Sequence, residues 1–234
     1  MDRHERPDDE ENAKKRIVLV GAGHAHLYSL RRASEFAERG FELVVVAPED
    51  FWYSGLATGV LAGIYPPAFD RIDIAALLKG GETRLIRQAM TGLDLSARRV
   101  LLEDGTSIAF GALSLNLGSA VPLIPGTSDR VFPVKPVTRL IALRDTLEED
   151  FRQGRKITVA IAGAGVTGCE VAAAVAAFVR QSAAAAEIVV YGDRILSDLP
   201  KKGAERVRNH LRHSGVKFRS GRVMAVDEGR LTLA

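Results

Sequence analysis

The sequence predicts an α/β protein built from two similar β-α-β halves. In the first half, the apolar run IVLV at residues 17–20 ends in glycines and precedes a helical pattern and a second apolar run. In the second half, ITVAIAGAG at residues 157–165 repeats this order. Short runs rich in β-branched residues that alternate with helices are typical of parallel strands joined by right-handed crossovers. Each half therefore predicts a Rossmann-like, three-layer domain in which helices pack on a parallel sheet.

The first half contains an insertion between its helical and its final strand segments. Residues 51–67 are rich in aromatic side chains and glycine and predict no regular element. From residue 84 the pattern changes to short alternating runs with an Asp104–Gly105 turn, which predicts an antiparallel β-meander. The remaining predicted elements are strand 16–21, helix 24–39 ending at Gly40, strand 41–48, a short helix at 71–80 and a return strand at 112–117.

Residues 118–136 contain four prolines and are predicted to link the two halves. We predict a disordered tail at 1–14, a first domain at 15–135 and a second domain at 136–234. The elements predicted in the second domain are helix 137–153, strand 156–162, helix 166–181, strand 187–191, helix 201–214 and strands 216–219 and 222–226.

Both glycine clusters lie where a strand ends and a helix begins, which is the context of a dinucleotide-binding loop. The glycines permit a tight turn and close approach to a pyrophosphate, which the helix N-terminus then binds. The second loop is a complete GxGxxG, whereas His26 occupies the third glycine position of the first loop and implies a wider contact between helix and strand. The alternative is a pair of structural turns that bind nothing. The glycines concerned are Gly21, Gly23, Gly163, Gly165 and Gly168.

An acidic residue at the end of the second strand usually binds the adenosine ribose. In the first half Ala47 occupies this place, with Glu49 and Asp50 beyond it. In the second half Tyr191 occupies it, followed by Asp193 and Arg194. Since an arginine here can accept a 2′-phosphate, NADH and NADPH both remain open, and Arg194 can equally be a solvated surface residue.

Composition excludes several classes of protein. The net charge of +3 is not concentrated in a basic tract, so we expect no nucleic-acid partner. His24 and His26 are two residues apart, which does not match helical metal-ligand spacing, so we expect no metal site. We expect these two histidines to lie at the cofactor-binding loop and to make a hydrogen bond either to a phosphate or to the sheet. The only cysteine is Cys169, which suits a reducing cytoplasm. At a helix start this thiol is either reactive or simply a small buried side chain.

Several phrases together resemble one flavoprotein family. These are GAGHAH, FWYSGLATGVLAGIY, RIDIAALL, LSLNLGS and VFPVKPV. With two dinucleotide loops and no CxxC pair, the chain resembles the FAD- and NAD(P)-dependent pyridine nucleotide oxidoreductases, on their NADH dehydrogenase-like side. It is similar to type II NADH dehydrogenases and to the flavoprotein domain fused to selenophosphate synthase.

The resemblance implies FAD at the first loop, NADH or NADPH at the second, and hydride transfer from NAD(P)H to FAD and on to an acceptor. It implies that Glu170 lies near the nicotinamide–flavin contact and that Lys135 reaches a flavin or phosphate oxygen. For Glu170 the alternative is a carboxylate that complements the positive end of the first helical turn. For Lys135 the alternative is a lysine in solvent. The remaining residues implied at the cofactors are Gly21, Gly23, His24, Tyr53, Ser54, Gly55, Gly118, Ser119, Gly163, Gly165 and Gly168.

The resemblance also implies a small-molecule electron acceptor, with a quinone as the candidate. Peripheral contact with the inner membrane face and a homodimer are left open. We expect the chain to stop short of a later segment that contacts the flavin in this family. A nucleotide-binding module that senses redox or NAD(P) levels without turnover is therefore the alternative function.

Overall fold

The computed structural model describes residues 15–78, 83–126 and 129–234. The predicted disordered tail at 1–14 lies outside the described residues. Contacts divide the chain into two compact units, described separately below. The first comprises the described residues up to Phe51 together with Arg71–Ser119, and the second comprises Trp52–Asp70 together with Ala120–Ala234.

The first unit contains a four-stranded sheet in which every described pair of neighbours is parallel. The strands are β1 (Arg16–Val20), β2 (Glu42–Val46), β5 (Arg84–Ile86) and β9 (Ala112–Leu115). Their order is β5-β2-β1-β9, so β1 is central and the return strand β9 forms one edge. The predicted β-α-β unit is confirmed.

The two faces of this sheet are covered differently, because alternate residues of each strand point to opposite faces. Leu19 and Val45 pack with Leu30 of the first helix. Val18 and Val44 pack against Val100, Ile108 and other residues of the antiparallel meander. Helices, parallel sheet and meander therefore form three layers, as predicted. The meander strands are β6 (Met90–Asp94), β7 (Arg99–Leu102) and β8 (Ser107–Ala109).

Three details of the first unit differ from the sequence prediction, one of which is that the helix predicted over 71–80 begins as a strand at Arg71–Ile72. The helix predicted over 24–39 is two helices, α1 (His24–Arg31) and α2 (Ala33–Glu38), because the backbone of Arg32 leaves the helical region. The run predicted to open the meander at residue 84 instead pairs with β2 as β5. Shorter elements are β3 (Phe51–Trp52) and β4 (Arg71–Ile72) near the boundary of the units, and α4 (Ile74–Leu77), whose predicted extension over 79–80 lies outside the described residues.

The second unit contains a parallel sheet of order β10-β11-β12. One buried cluster joins this sheet to the helices, with Val175 and Val190 fully buried at its centre. Residues 216–219 and 166–181 form the strand and the helix predicted for them. The elements are α3 (Ala57–Leu61), α5 (Thr138–Arg152), β10 (Ile157–Ala162), α6 (Val166–Gln181), β11 (Ala186–Tyr191), α7 (Lys201–His213), β12 (Val216–Arg219), and a hairpin of β13 (Val223–Asp227) and β14 (Arg230–Leu233).

The predicted division at residues 135 and 136 concerns which nucleotide each part binds, and it stays a prediction. By contacts alone, residues 52–70 and 120–135 belong with the second sheet. Arg144 on α5 illustrates this grouping, since its guanidinium donates to the carbonyls of Val60 and Tyr65.

Candidate functional site: two glycine loops at helix N-termini

The first glycine loop links the end of β1 to the start of α1. Gly21 has a φ of +84° and donates its N–H to the Val46 carbonyl at 2.8 Å. Gly23 is the N-cap of α1, and no side chain in the described part of the chain caps this helix. Its first turn also contains no acidic residue. The start of α1 therefore combines a positive dipole end with amide groups suited to an anion.

Asn116, which the sequence analysis did not select, packs against this loop. A β carbon on Gly21 would lie 2.0 Å from the Asn116 carbonyl oxygen, and one on Gly23 would lie 2.8 Å from the Asn116 side-chain amide. Asn116 follows β9 and donates its N–H to the Val20 carbonyl. The close packing arises from the parallel pairing of β1 with β9, which no local motif reveals. Gly21 is thus required by the fold, since it meets backbone atoms at a positive φ, whereas the contact at Gly23 is with the end of a side chain that can rotate away.

The two histidines of the first loop have different surroundings. His24 is exposed, and its ring packs edge-on against Phe51 with centroids 4.8 Å apart. His26 is 3% exposed and contacts Gly21 O at 2.6 Å and Ser114 Oγ at 2.8 Å through its two ring nitrogens. The sequence predicted a hydrogen bond from these histidines either to a phosphate or to the sheet. His26 makes the hydrogen bond to the sheet, through Ser114 of β9.

The acidic residues beyond β2 also differ from each other. Asp50 accepts hydrogen bonds from Arg71 and Arg87, and its side chain is 8% exposed. Burial alone would raise the pKa of Asp50, but the hydrogen bonds from the two arginines outweigh it and hold the pKa below its ordinary value. Glu49 is exposed. The Asp50 carboxylate therefore forms ion pairs with arginines of the protein itself. Of the two acidic residues beyond β2, Glu49 is the one exposed to solvent.

The second glycine loop repeats the geometry of the first. Gly163 has a φ of +111° and donates its N–H to the Tyr191 carbonyl at 2.9 Å. Gly165 is the N-cap of α6, which again has no side-chain cap and no acidic residue in its first turn. A β carbon on Gly168 would lie 1.9 Å from Gly163 O, whereas one on Gly165 would meet no described atom within 4 Å. The third glycine thus serves packing, and the N-cap glycine faces open space.

A cavity of about 290 Å³ lies over this loop. The loop glycines, the first turn of α6 and Val134 line it. Lys135, the neighbour of Val134, is half-buried and does not line the cavity. The position of the cavity at an uncapped helix N-terminus suits a phosphate group.

Asp193 and Arg194 follow β11 beside this loop. A β carbon on Gly192 would lie 2.7 Å from the Ala164 side chain, so the end of β11 packs against the loop. Asp193 and Arg194 are both exposed. They therefore lie at the edge of the sheet where an adenosine ribose binds in dinucleotide folds.

Glu170 lies on a different side of α6. It lines a second cavity of about 610 Å³ between α6 and α7, together with Cys169, Arg206 and His210. Cys169 is 4% exposed, and burial followed by the charge of Glu170 raises the pKa of its thiol. Because the thiolate is the reactive form, these surroundings favour the small buried side chain over the reactive cysteine.

The remaining predicted residues lie in loops. Ser54 and Gly55 form part of a short 3-10 helix in the second unit, where Gly55 packs closely against the ring of Tyr53. Gly118 and Ser119 follow β9 in the first unit and are exposed. Because β9 and β1 are parallel neighbours, Gly118 and Ser119 follow the sheet edge at which Gly21 lies. Within the described ranges, no group of three or more His, Cys, Asp or Glu side chains could hold a metal ion.

The fold and the two loops define a class of protein: an α/β protein with two Rossmann-like units that each present a glycine loop at an uncapped helix N-terminus. The model of the pyridine nucleotide-disulphide oxidoreductase family matches residues 15–232. The chain belongs to this family.

Relatives place it beside NADH dehydrogenase-like proteins, as predicted. The NADH dehydrogenase-like protein YutJ of Bacillus subtilis is 22% identical over 92% of the chain, and 60% of that protein is covered. The alternative NAD(P)H-ubiquinone oxidoreductase C1 of Arabidopsis thaliana is 25% identical over 70% of the chain, and 36% of that protein is covered. The chain thus spans less than two thirds of the length of either relative.

Solved structures confirm the fold. The structure of NDH2 from Plasmodium falciparum in complex with NADH matches 94% of the chain with a TM-score of 0.74 and 16% identity, and half of that protein is covered. The structure of reduced CoADR-RHD from Bacillus anthracis matches 93% of the chain with a TM-score of 0.71 and 19% identity, and 41% of it is covered.

Proposed function

We propose that the chain is the nucleotide-binding part of an FAD-dependent NAD(P)H oxidoreductase. FAD binds at the Gly21–Gly23 loop and NAD(P)H at the Gly163–Gly168 loop. The observation that carries this proposal is the pair of uncapped helix N-termini in a chain of this family. Two separate anion sites match two dinucleotides, since each dinucleotide contains one pyrophosphate.

The residues of the chain bind and orient the nucleotides. Amide groups at the starts of α1 and α6 face the two pyrophosphates, and the residues beyond β2 and β11 face the two riboses. When bound, the flavin would supply the redox chemistry, namely hydride transfer from the nicotinamide and electron transfer to an acceptor. In our proposal, Glu170, Lys135, Ser54, Gly55, Gly118 and Ser119 keep the roles near the reacting rings that the resemblance implies.

Asp193 and Arg194 do not by themselves decide whether the chain binds NADH or NADPH. The Arg194→Gln variant separates the two, because it removes a charge that only the 2′-phosphate of NADPH would contact. A loss of NADPH affinity with unchanged NADH affinity identifies that contact. Unchanged affinity for both identifies Arg194 as a solvated surface residue.

A quinone is the acceptor that we propose. The name of the Arabidopsis relative, an NAD(P)H-ubiquinone oxidoreductase, supports this choice. No helix in the described residues is long and apolar enough to cross a membrane. The same family resemblance supports three further proposals: peripheral contact with a membrane, a cytoplasmic location and a homodimer.

The proposal is tested by titrating the purified chain with FAD and then measuring NADH- and NADPH-dependent reduction of a soluble quinone. We expect saturable FAD binding and turnover with at least one of the two nucleotides. Binding of FAD and NAD(P)H without turnover would support the alternative module that senses nucleotides. Failure to bind either nucleotide would contradict both functions.

A further inference from the structure

His26 and Gly168 occupy the third position of the two loops but contact the loop carbonyl differently. In the second loop, the Cα of Gly168 lies directly against the Gly163 carbonyl, since an added β carbon would lie only 1.9 Å from that oxygen. In the first loop, the His26 ring fills the corresponding space and places Nδ1 2.6 Å from Gly21 O. The side chain at the third position of the first loop therefore makes a hydrogen bond to the loop carbonyl, whereas the third glycine of the second loop packs directly against it.

The other side of the His26 ring reaches the return strand. Nε2 lies 2.8 Å from Ser114 Oγ on β9, and the residue is 3% exposed. Because a carbonyl oxygen can only accept, Nδ1 must donate to Gly21 O. In the neutral ring, Nε2 then accepts the hydrogen of the Ser114 hydroxyl. One side chain therefore joins the glycine loop to the strand at the edge of the sheet.

Asn116 bounds the same loop from β9. It lies two residues beyond Ser114, and its carbonyl and side-chain amide pack against Gly21 and Gly23. The loop is thus held between the His26 ring and Asn116. The N-cap residue Gly23, which precedes the exposed start of α1, is part of the segment held in this way.

We propose that His26 is a positioning residue for the first nucleotide. Its bond to Gly21 O holds the Gly21–Gly23 turn so that the amide groups at the start of α1 are ordered before the pyrophosphate arrives. Binding then costs little conformational entropy for ordering the loop. The affinity for the nucleotide therefore rises although His26 does not contact the nucleotide directly. This inference rests on the proposed binding of FAD at the first loop.

Two near-isosteric substitutions separate the two hydrogen bonds. The amide nitrogen of Asn can replace Nδ1, so His26→Asn keeps a donor to Gly21 O and loses the contact with Ser114. His26→Gln places its amide near Nε2, so it keeps the contact with Ser114 and loses the bond to Gly21 O. We expect the FAD dissociation constant of His26→Asn to stay within about three-fold of wild type and that of His26→Gln to rise about ten-fold, a cost of about 1.4 kcal/mol.

Thermal unfolding of the FAD-free variants is the matched control. A purely structural role would make FAD affinity follow stability, so equal affinities for the two variants, or affinities that simply rank with melting temperature, would overturn the proposal. His26→Gly, which restores the third glycine, is expected to bind FAD no better than His26→Gln because the bond to Gly21 O is absent.

The ring itself provides a readout without FAD. Nitrogen-15 NMR of the FAD-free chain is expected to show a proton on Nδ1 of His26, and an Nδ1 without a proton would overturn the assignment by itself. A proton on Nδ1 in a chain that binds no FAD would instead mean that the proposed function fails, and the positioning role would fail with it.

Discussion

At the scale of single residues, the glycines of the two loops are required for different reasons. Gly21 faces the Asn116 carbonyl and Gly168 faces the Gly163 carbonyl, so both are needed for the chain to pack upon itself. Gly165 has an ordinary φ of −76° and faces open space. Substitution of Gly165 therefore tests ligand binding, whereas substitution of Gly21 tests the fold.

We predict that Gly165→Ala raises the KM for NAD(P)H about ten-fold, because the added methyl occupies the space that the pyrophosphate needs. The unfolding free energy should fall by no more than about 1 kcal/mol, the cost of a poorer N-cap. Gly203→Ala on α7 is the matched control, since a β carbon there also meets no described atom within 4 Å. Steady-state kinetics with urea unfolding measure both effects, and an unchanged KM in Gly165→Ala would contradict the placement of NAD(P)H.

Asp70 provides a second prediction at this scale. It is 1% exposed, and within the described part of the chain neither carboxylate oxygen has a hydrogen-bond partner. Burial raises the pKa of Asp70. A carboxyl whose pKa is higher in the folded state loses stability as the pH rises from the unfolded pKa, about 3.9, through the folded pKa. Asp70→Asn, which is neutral at every pH, should therefore gain stability relative to wild type between pH 4.5 and 8 by about 1.4 kcal/mol for each unit of pKa difference.

Urea unfolding of wild type and Asp70→Asn at several pH values measures this difference. Asp145→Asn on α5 is a suitable control, since Asp145 is exposed. A constant difference between wild type and Asp70→Asn across the range would mean that Asp70 is ionised at its usual pKa.

At the scale of secondary-structure elements, buried acidic residues join segments that are distant in sequence. Asp50, beyond β2, binds Arg71 of β4 and Arg87 after β5. In the second unit, Asp150 near the end of α5 is fully buried and binds Arg130 and Arg155. Burial would raise the pKa of Asp150, but its hydrogen bonds with the two arginines hold it below the ordinary value, as for Asp50.

We predict that Asp50→Asn lowers the unfolding free energy at pH 7 by about 1–3 kcal/mol, because the arginines lose their charged partner. A depressed folded pKa gives stability above the unfolded pKa of about 3.9, and this stability is lost as the pH falls through the folded pKa. The loss of unfolding free energy caused by Asp50→Asn should therefore shrink as the pH falls below about 3.9 and disappear below the folded pKa of Asp50. Chemical unfolding at pH 7 and at pH 3 tests this, and an equal loss at both would assign the effect to packing instead of charge.

Elements were predictable from the sequence where the signal is local. The glycine loops, the span of α6 and the strand at 216–219 follow from short motifs and periodicity. The break at Arg32 was missed because the apolar spacing continues across it. The pairing of β5 with β2, the packing of Asn116 on Gly21 and the contact of His26 with Ser114 depend on residues far apart in sequence. A single sequence has no local pattern that indicates such contacts.

At the scale of the whole molecule, the two units repeat one device. Each unit ends a parallel strand in a glycine turn and begins a helix there that no described side chain caps. The units differ in what holds the turn: a histidine and an asparagine in the first, and a packed glycine in the second. In the proposed function, the first loop binds FAD and the second binds NAD(P)H.

The most direct test of this division is the visible absorption spectrum of the FAD-reconstituted chain during anaerobic titration with NADH and, separately, with NADPH. We expect bound flavin that bleaches with at least one of the two nucleotides, with a slower or weaker response in Gly165→Ala. A bound flavin that bleaches equally well in wild type and Gly165→Ala would contradict the role of the second loop. A chain that binds no flavin, or binds flavin that neither nucleotide bleaches, would contradict the proposed hydride transfer.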